Sequence, residues 1–145
     1  MYKHILIPTD GSELSERAAR SAVDLAKSID ARLTALHTTP MFAQTEIGAH
    51  AVYTRVLEHK EQSEQTAQQV LSAIVQMAHA VNVSVNTVHR VTDNPWEAIV
   101  NVAQELGCDL IFMASHGRRG ISAFLMGSET NKVLIHTKIP VLVWR

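Results

Sequence analysis

Short unbroken apolar runs alternate along this chain with stretches in which apolar residues return every third or fourth position. The first run is His4-Ile5-Leu6-Ile7-Pro8, closed by the turn chemistry of Thr9-Asp10-Gly11-Ser12. It predicts a strand buried on both faces. Leu14, Ala18, Ala22, Leu25 and Ile29 then line up as one face of a helix. Ser12 suits its N-cap, and Glu13 and Glu16 suit its positive first turn. Residues Arg32 to Thr38 read as a second strand, and Thr39 to His50 as a loop. A long helix is predicted from about Ala51 to Val81, on the step Val52, Val56, Ser63, Ala67, Val70, Ile74, Met77, Val81. Its early half carries Glu58, Lys60, Glu61 and Glu64 and should be solvated.

The second half of the chain repeats the alternation. Val83, Val85 and Thr87 interleave with Ser84, Asn86 and Val88, a half-polar pattern that suits an edge strand. Asn94-Pro95 predicts an N-cap followed by proline at the first helical position. Ile99, Val102, Ala103 and Leu106 predict that helix's buried stripe, and Gly107 its stop. Asp109 to Ala114 is the most apolar run and reads as the central strand. Ser128 to His136 reads as a short helix, and Pro140 to Trp144 as the last strand. Strict strand–helix alternation predicts an α/β fold, a parallel sheet wound in both directions with helices on both faces. Ligands of such sheets bind beyond the carboxyl ends of the strands, where the winding reverses. Pro8 to Ser12 and Ser115 to Ser128 should meet there.

Composition narrows the class. A length of 145 residues predicts one domain, 1–145. A net charge of −1 excludes a broadly basic nucleic-acid-wrapping surface. Cys108 is the single cysteine, which excludes an internal disulfide and a multi-cysteine zinc site. No apolar run reaches signal or membrane-span length, so the expectation is a cytoplasmic protein without a membrane partner. The eight histidines are scattered without metal-ligand spacing. No Gly-x-Ser-x-Gly elbow supports a hydrolytic triad on Asp10. Cys108, Trp96 and Trp144 read as packing residues.

The stretch from Met113 to Thr130 carries the candidate chemistry. Gly117 and Gly120 permit tight turns and a close backbone approach. Gly127-Ser128 opens a helix whose free N–H groups, with the Ser128 and Thr130 hydroxyls, would cradle a phosphate. Arg118 and Arg119 would add charge-assisted contacts. The bland alternative is a helix cap beside solvated arginines. The loop is not a Walker motif, having no Gly-Lys-Ser/Thr.

Nearly the whole chain resembles the universal stress proteins. The resemblance rests on Ile5 to Ser12, Leu36-His37, Asp109-Leu110-Ile111, Ser115-His116-Gly117, Gly127-Ser128 and Ile139 to Val143. It implies five parallel strands in the order 3-2-1-4-5, and a dimer. ATP-binding members of that family carry glycine, two residues, glycine, nine residues, then glycine with serine or threonine. This chain keeps the spacing from Ala114 through Gly117 to Gly127-Ser128, with alanine at the first position. The resemblance implies Gly127, Ser128 and Thr130 around phosphates, and Ala114, His116 and Gly117 near ribose and phosphates. It implies Pro8, Thr9, Asp10, the Thr38 backbone and Met113 around the adenosine. Glu129 would offer its N–H, while its carboxylate would repel phosphate if turned inward. A methyl on Ala114 at a close approach would cost about 1–3 kcal/mol.

Three functions follow. The first is a regulatory or stress-response module that binds ATP with Mg²⁺ and turns over little or none. The second is a nucleotide-free interaction protein, which Ala114 and Glu129 favour, with a protein partner the sequence does not name. The third is a slow ATPase. The resemblance also implies a homodimer through the last strand, Val141, Leu142 and Val143, because an apolar edge must be covered.

Overall fold

A computed structural model describes residues 1–43, 49–117 and 126–145. The chain runs β1 (His4–Pro8), α1 (Glu13–Ile29), β2 (Arg32–Thr39), α2 (Ala49–Ala80), β3 (Val85–Val91), α3 (Pro95–Glu105), β4 (Leu110–Ala114), α4 (Ser128–His136), β5 (Val141–Trp144). The five strands form one parallel sheet in the order β3-β2-β1-β4-β5. β1, not β4, is therefore the middle strand. β4 is interior, between β1 and β5, which explains its unbroken apolar run.

The pleat divides the core in two. Ile5 and Ile7 of β1 join Leu33, Ala35, Leu110, Phe112 and Ala114 beneath α1 and α2. Leu6 joins Leu36, Ile111 and Met113 beneath α3 and α4. Both faces of β1 are thus sealed, and Ile5, Leu6 and Ile7 have no exposed surface. No helix among the described residues is long and apolar enough to cross a membrane.

Three helical stripes sit differently from their periodicity. In α1 the buried residues are Ser15, Ala18, Ala19, Ala22, Val23 and Ala26. Leu14, Leu25 and Ile29 are only half-buried at the rims. Small side chains let the helix axis approach the sheet, and the larger ones fill the flanks. α2 has 32 residues, about 48 Å of helix, against about 26 Å for the longest strand. Its first half runs past the sheet, so Tyr53, Val56 and Leu57 stay exposed. In α3, Val100 is buried and Leu106 exposed, because the helix ends at Glu105. Gly107 then takes φ +64° while Cys108 N–H reaches back to the Ala103 carbonyl at 2.8 Å. Ser12 caps α1 as expected, its Oγ accepting Ser15 N–H at 3.3 Å.

β3 is a half-exposed edge strand, as its alternation predicts. β5 forms the other edge. Asp109 ties the lower rim, its Oδ1 accepting His4 N–H at 2.9 Å and its Oδ2 accepting Lys3 N–H at 2.8 Å. Burial opposes ionisation of Asp109, but these amide donors hold its carboxyl below the usual value.

Candidate functional site

A cleft of about 590 Å³ opens beyond the carboxyl ends of the strands. Its first wall is the β1–α1 turn. Thr9 continues the sheet through its N–H to the Leu36 carbonyl at 2.8 Å. The Thr9 hydroxyl meets Ser15 Oγ at 3.1 Å and accepts Gly11 N–H at 3.2 Å. Gly11 turns the chain at φ 74°, and Asp10 Oδ1 accepts Ser12 N–H at 3.0 Å. From behind, buried His37 donates Nδ1–H to the Thr9 carbonyl at 2.8 Å, which defines its tautomer. Its ring stacks on His89, whose Nε2 bonds Thr39 Oγ1 at 2.7 Å. Burial, and then His37, hold the His89 pKa below its ordinary value against the pull of Glu64.

The second wall joins β4 to α4. Ser115 N–H bonds the Trp144 carbonyl at 2.7 Å, and the Ser115 carbonyl accepts Gly127 N–H at 2.8 Å. That contact brings the start of α4 onto the end of β4. A Cβ on Gly127 would stand 3.1 Å from His116 Cα and 3.2 Å from the Ser115 carbonyl oxygen. A Cβ on Gly117 would overlap Asp10 Oδ2. The two glycines therefore make room for the His116 backbone and for the Asp10 carboxylate. Gly127 is the N-cap of α4 and provides no side chain to cap it. The N–H groups of Ser128, Glu129 and Thr130 lie in the first turn, beyond the reach of the helix's own carbonyls.

The third wall was missed in the sequence. It is the β3–α3 turn, Thr92, Asp93 and Pro95, with Thr39 and Pro40 opposite. Thr92 N–H bonds the Thr39 carbonyl at 2.8 Å, and Asp93 Oδ1 accepts Met41 N–H at 3.0 Å. The signal was present, because this turn also follows a strand's carboxyl end. Leu36, Ile99 and Met113 make the apolar floor, and Ser15 completes the lining.

Of the expected site residues, Pro8, Thr9, Asp10, Thr38, Met113, Ala114, His116, Gly117, Gly127, Ser128, Glu129 and Thr130 all line this cleft. Arg118, with Arg119 and Gly120, falls outside the described residues. The role of Thr130 needs correction, and those of Glu129 and Asn94 gain detail. The Thr130 hydroxyl is buried and donates to the Ala114 carbonyl at 3.1 Å, so it pins α4 to β4 instead of facing a ligand. The Glu129 carboxylate is turned onto α3, where Oε2 accepts Trp96 N–H at 2.9 Å. Asn94 is the N-cap of α3, but its side chain makes no capping bond. Ala114 belongs to the core cluster beneath α1 and is 8% exposed, so its methyl is housed in that core.

The doubly wound sheet with this cleft defines a Rossmann-like α/β architecture. The chain belongs to the universal stress protein family, whose model matches residues 1–145. It is 31% identical over 143 residues to the universal stress protein MJ0531 of Methanocaldococcus jannaschii, across 99% of this chain and 82% of that one. Among solved structures it is similar to hypothetical protein MJ0577, at 30% identity and TM-score 0.81, over 99% of this chain and 96% of that one. A universal stress protein solved in complex with cAMP aligns at TM-score 0.66 and 24% identity, over 98% and 95% of the two chains. One from Archaeoglobus fulgidus solved with dAMP aligns at TM-score 0.69 and 20% identity, over 99% and 98%. At those identities the last two speak for the fold.

Proposed function

We infer that this chain binds an adenine nucleotide in the cleft, ATP with Mg²⁺ being the expected ligand, and works as a cytoplasmic regulatory module with little turnover. The observation that carries this reading is the joining of two surfaces in one cleft. The first turn of α4 offers unpaired N–H groups and a helix dipole to phosphates. Leu36, Ile99 and Met113 offer an apolar floor to a base. The Asp10 carboxylate, held beside Gly117, suits a ribose hydroxyl or a phosphate-bound Mg²⁺. Among the described residues no three carboxylates, histidines or cysteines cluster as a metal site. A Mg²⁺ here would therefore be carried mainly by phosphates and water, as is usual for that ion. Ala114 does not oppose the reading, since its methyl is accommodated in the core. Two family members solved with cAMP and dAMP are consistent with it.

The test is to denature freshly purified protein, identify any released nucleotide, and titrate the apo form with Mg-ATP by calorimetry. Near-stoichiometric nucleotide, or micromolar binding weakened by Gly127→Ala and Ser128→Ala, is expected. An empty protein with no heat of binding would overturn the reading in favour of a nucleotide-free interaction protein. We further propose a homodimer through the β5 edge, Val141, Leu142 and Val143, where Leu142 is exposed. Sedimentation at micromolar concentration tests it, and a monomer would refute it.

A further inference from the structure

The N-terminus of α3 needs one outside acceptor. Pro95 has no N–H, the Asn94 side chain makes no cap, and Glu97 N–H turns back to the Asn94 carbonyl at 3.1 Å. The Trp96 amide is left, and it is the one that Glu129 Oε2 accepts at 2.9 Å. Glu129 Oε1 takes Lys132 Nζ at 3.2 Å. Glu129 also sits in the first turn of α4, beside Ser128, and lines the cleft. A residue of the α4 first turn that lines the cleft thus holds its carboxylate against the N-terminus of α3, within the same cleft wall. Asp10 and Asp93 stand on the same lining. Lys132 compensates only in part, because both side chains are partly exposed, 47% and 38%, and water screens the pair.

We propose that Glu129 is a specificity-determining residue that makes the cleft select adenine ligands by the net charge of their phosphate chain. The proposal rests on the adenine-nucleotide reading above. A carboxylate fixed by Trp96 N–H cannot turn away when a ligand arrives without giving up that bond. It repels a metal-free triphosphate most, a Mg²⁺-bound triphosphate and a monophosphate, which carry nearly the same net charge, less and about equally, and adenosine not at all. Divalent cation then favours triphosphate binding through this residue's charge, beyond any cation contact of its own.

The experiment is calorimetry at low salt with adenosine, AMP, Mg-ATP and ATP in EDTA, on the wild type, Glu129→Gln and Glu105→Gln. Glu129→Gln keeps a side-chain oxygen for the Trp96 amide while removing the charge, and Glu105→Gln makes the same charge change at the far end of α3. The expected result is that Glu129→Gln tightens metal-free ATP about tenfold, Mg-ATP by less and adenosine not at all. The gain should shrink as salt is raised. Glu129→Ala, which removes charge and cap together, should keep the same order among ligands. An equal change for every ligand, or no change, would overturn the proposal and leave Glu129 a structural strut. Absence of binding by all four ligands, adenosine included, in every variant would instead overturn the adenine reading on which it rests.

Discussion

Gly117→Ala isolates the contact that gives the cleft its shape. A methyl at this position overlaps Asp10 Oδ2 and stands 3.3 Å from Asp10 Cγ. Gly117 is not among the positive-φ glycines, so the substitution brings no left-handed backbone strain. The cost falls on the Asp10 carboxylate, which must shift, straining the bond by which its Oδ1 accepts the Ser12 amide at 3.0 Å. Overpacking of this kind costs about 1–3 kcal/mol. Weakening the bond to a charged acceptor adds about 1 kcal/mol at this half-exposed position. Replacing glycine also stiffens the unfolded chain, which returns about 0.4–1 kcal/mol. The net expectation is a loss of about 1–3.5 kcal/mol. In an Asp10→Ala background the obstacle is gone, and Gly117→Ala should be neutral or slightly stabilising. The double-mutant cycle should therefore show a coupling of at least about 1 kcal/mol. Urea unfolding followed by circular dichroism reads it directly, as a midpoint shift of about 0.5 M at constant slope. Additivity within about 0.5 kcal/mol would refute the argument, because uncoupled sites behave that way.

Two further outcomes follow from titrating groups. Burial pushes the Cys108 thiol up to about 11, so native protein at pH 8 should resist iodoacetamide while urea-unfolded protein reacts; equal rates would refute this. His4 is held low first by burial and then by Arg32, with the Leu106 carbonyl and Asp109 opposing, and His89 is lowered as described. Well above 6.5 these rings are neutral in both states and contribute nothing, whereas as pH falls through 6.5 the unfolded chain takes up protons first. Urea midpoints should therefore be flat from pH 8 to 7 and fall below about 6.5, and His89→Gln should flatten that fall. A slope unchanged in His89→Gln would refute the assignment. Asp109 acts lower still, its contribution being lost as pH drops below 3.8 through its depressed folded value.

The order of elements was legible because each strand is an apolar run closed by turn chemistry and each helix keeps a helical step. The location of the cleft was legible for the same reason, since topology alone puts ligands at the carboxyl ends of strands. What escaped was the direction of individual side chains. The α1 stripe is centred on alanines, and a reading that weights bulky residues favours Leu14, Leu25 and Ile29. Thr130 and Glu129 are polar residues in a helix's first turn, where ligand contact is the natural expectation. Their actual partners, the Ala114 carbonyl and the Trp96 amide, lie 16 and 33 residues away in sequence. Local pattern carries no information about such pairings. His37 was legible as the end of a strand, but its hold on the Thr9 carbonyl spans 28 residues.

Ala114 shows how the pleat decides which motif glycine can be lost. Gly117 faces the Asp10 carboxylate, and Gly127 faces the His116 backbone, so a side chain at either requires its neighbour to shift. Position 114 ends β4, where Leu110, Phe112 and Ala114 alternate into the core beneath α1 while Ile111 and Met113 serve the opposite face. A methyl at 114 therefore adds to a packed core with Ile5, Ala18 and Phe112 and does not narrow the cleft floor made by Met113. Restoring the family glycine by Ala114→Gly should then cost stability, about 1–2 kcal/mol from the lost buried methyl and the freer unfolded backbone. It should leave nucleotide affinity within about twofold, an energy difference of about 0.4 kcal/mol. A tenfold gain in affinity for Mg-ATP would show that the methyl reaches the ligand after all, and that the core does not absorb it.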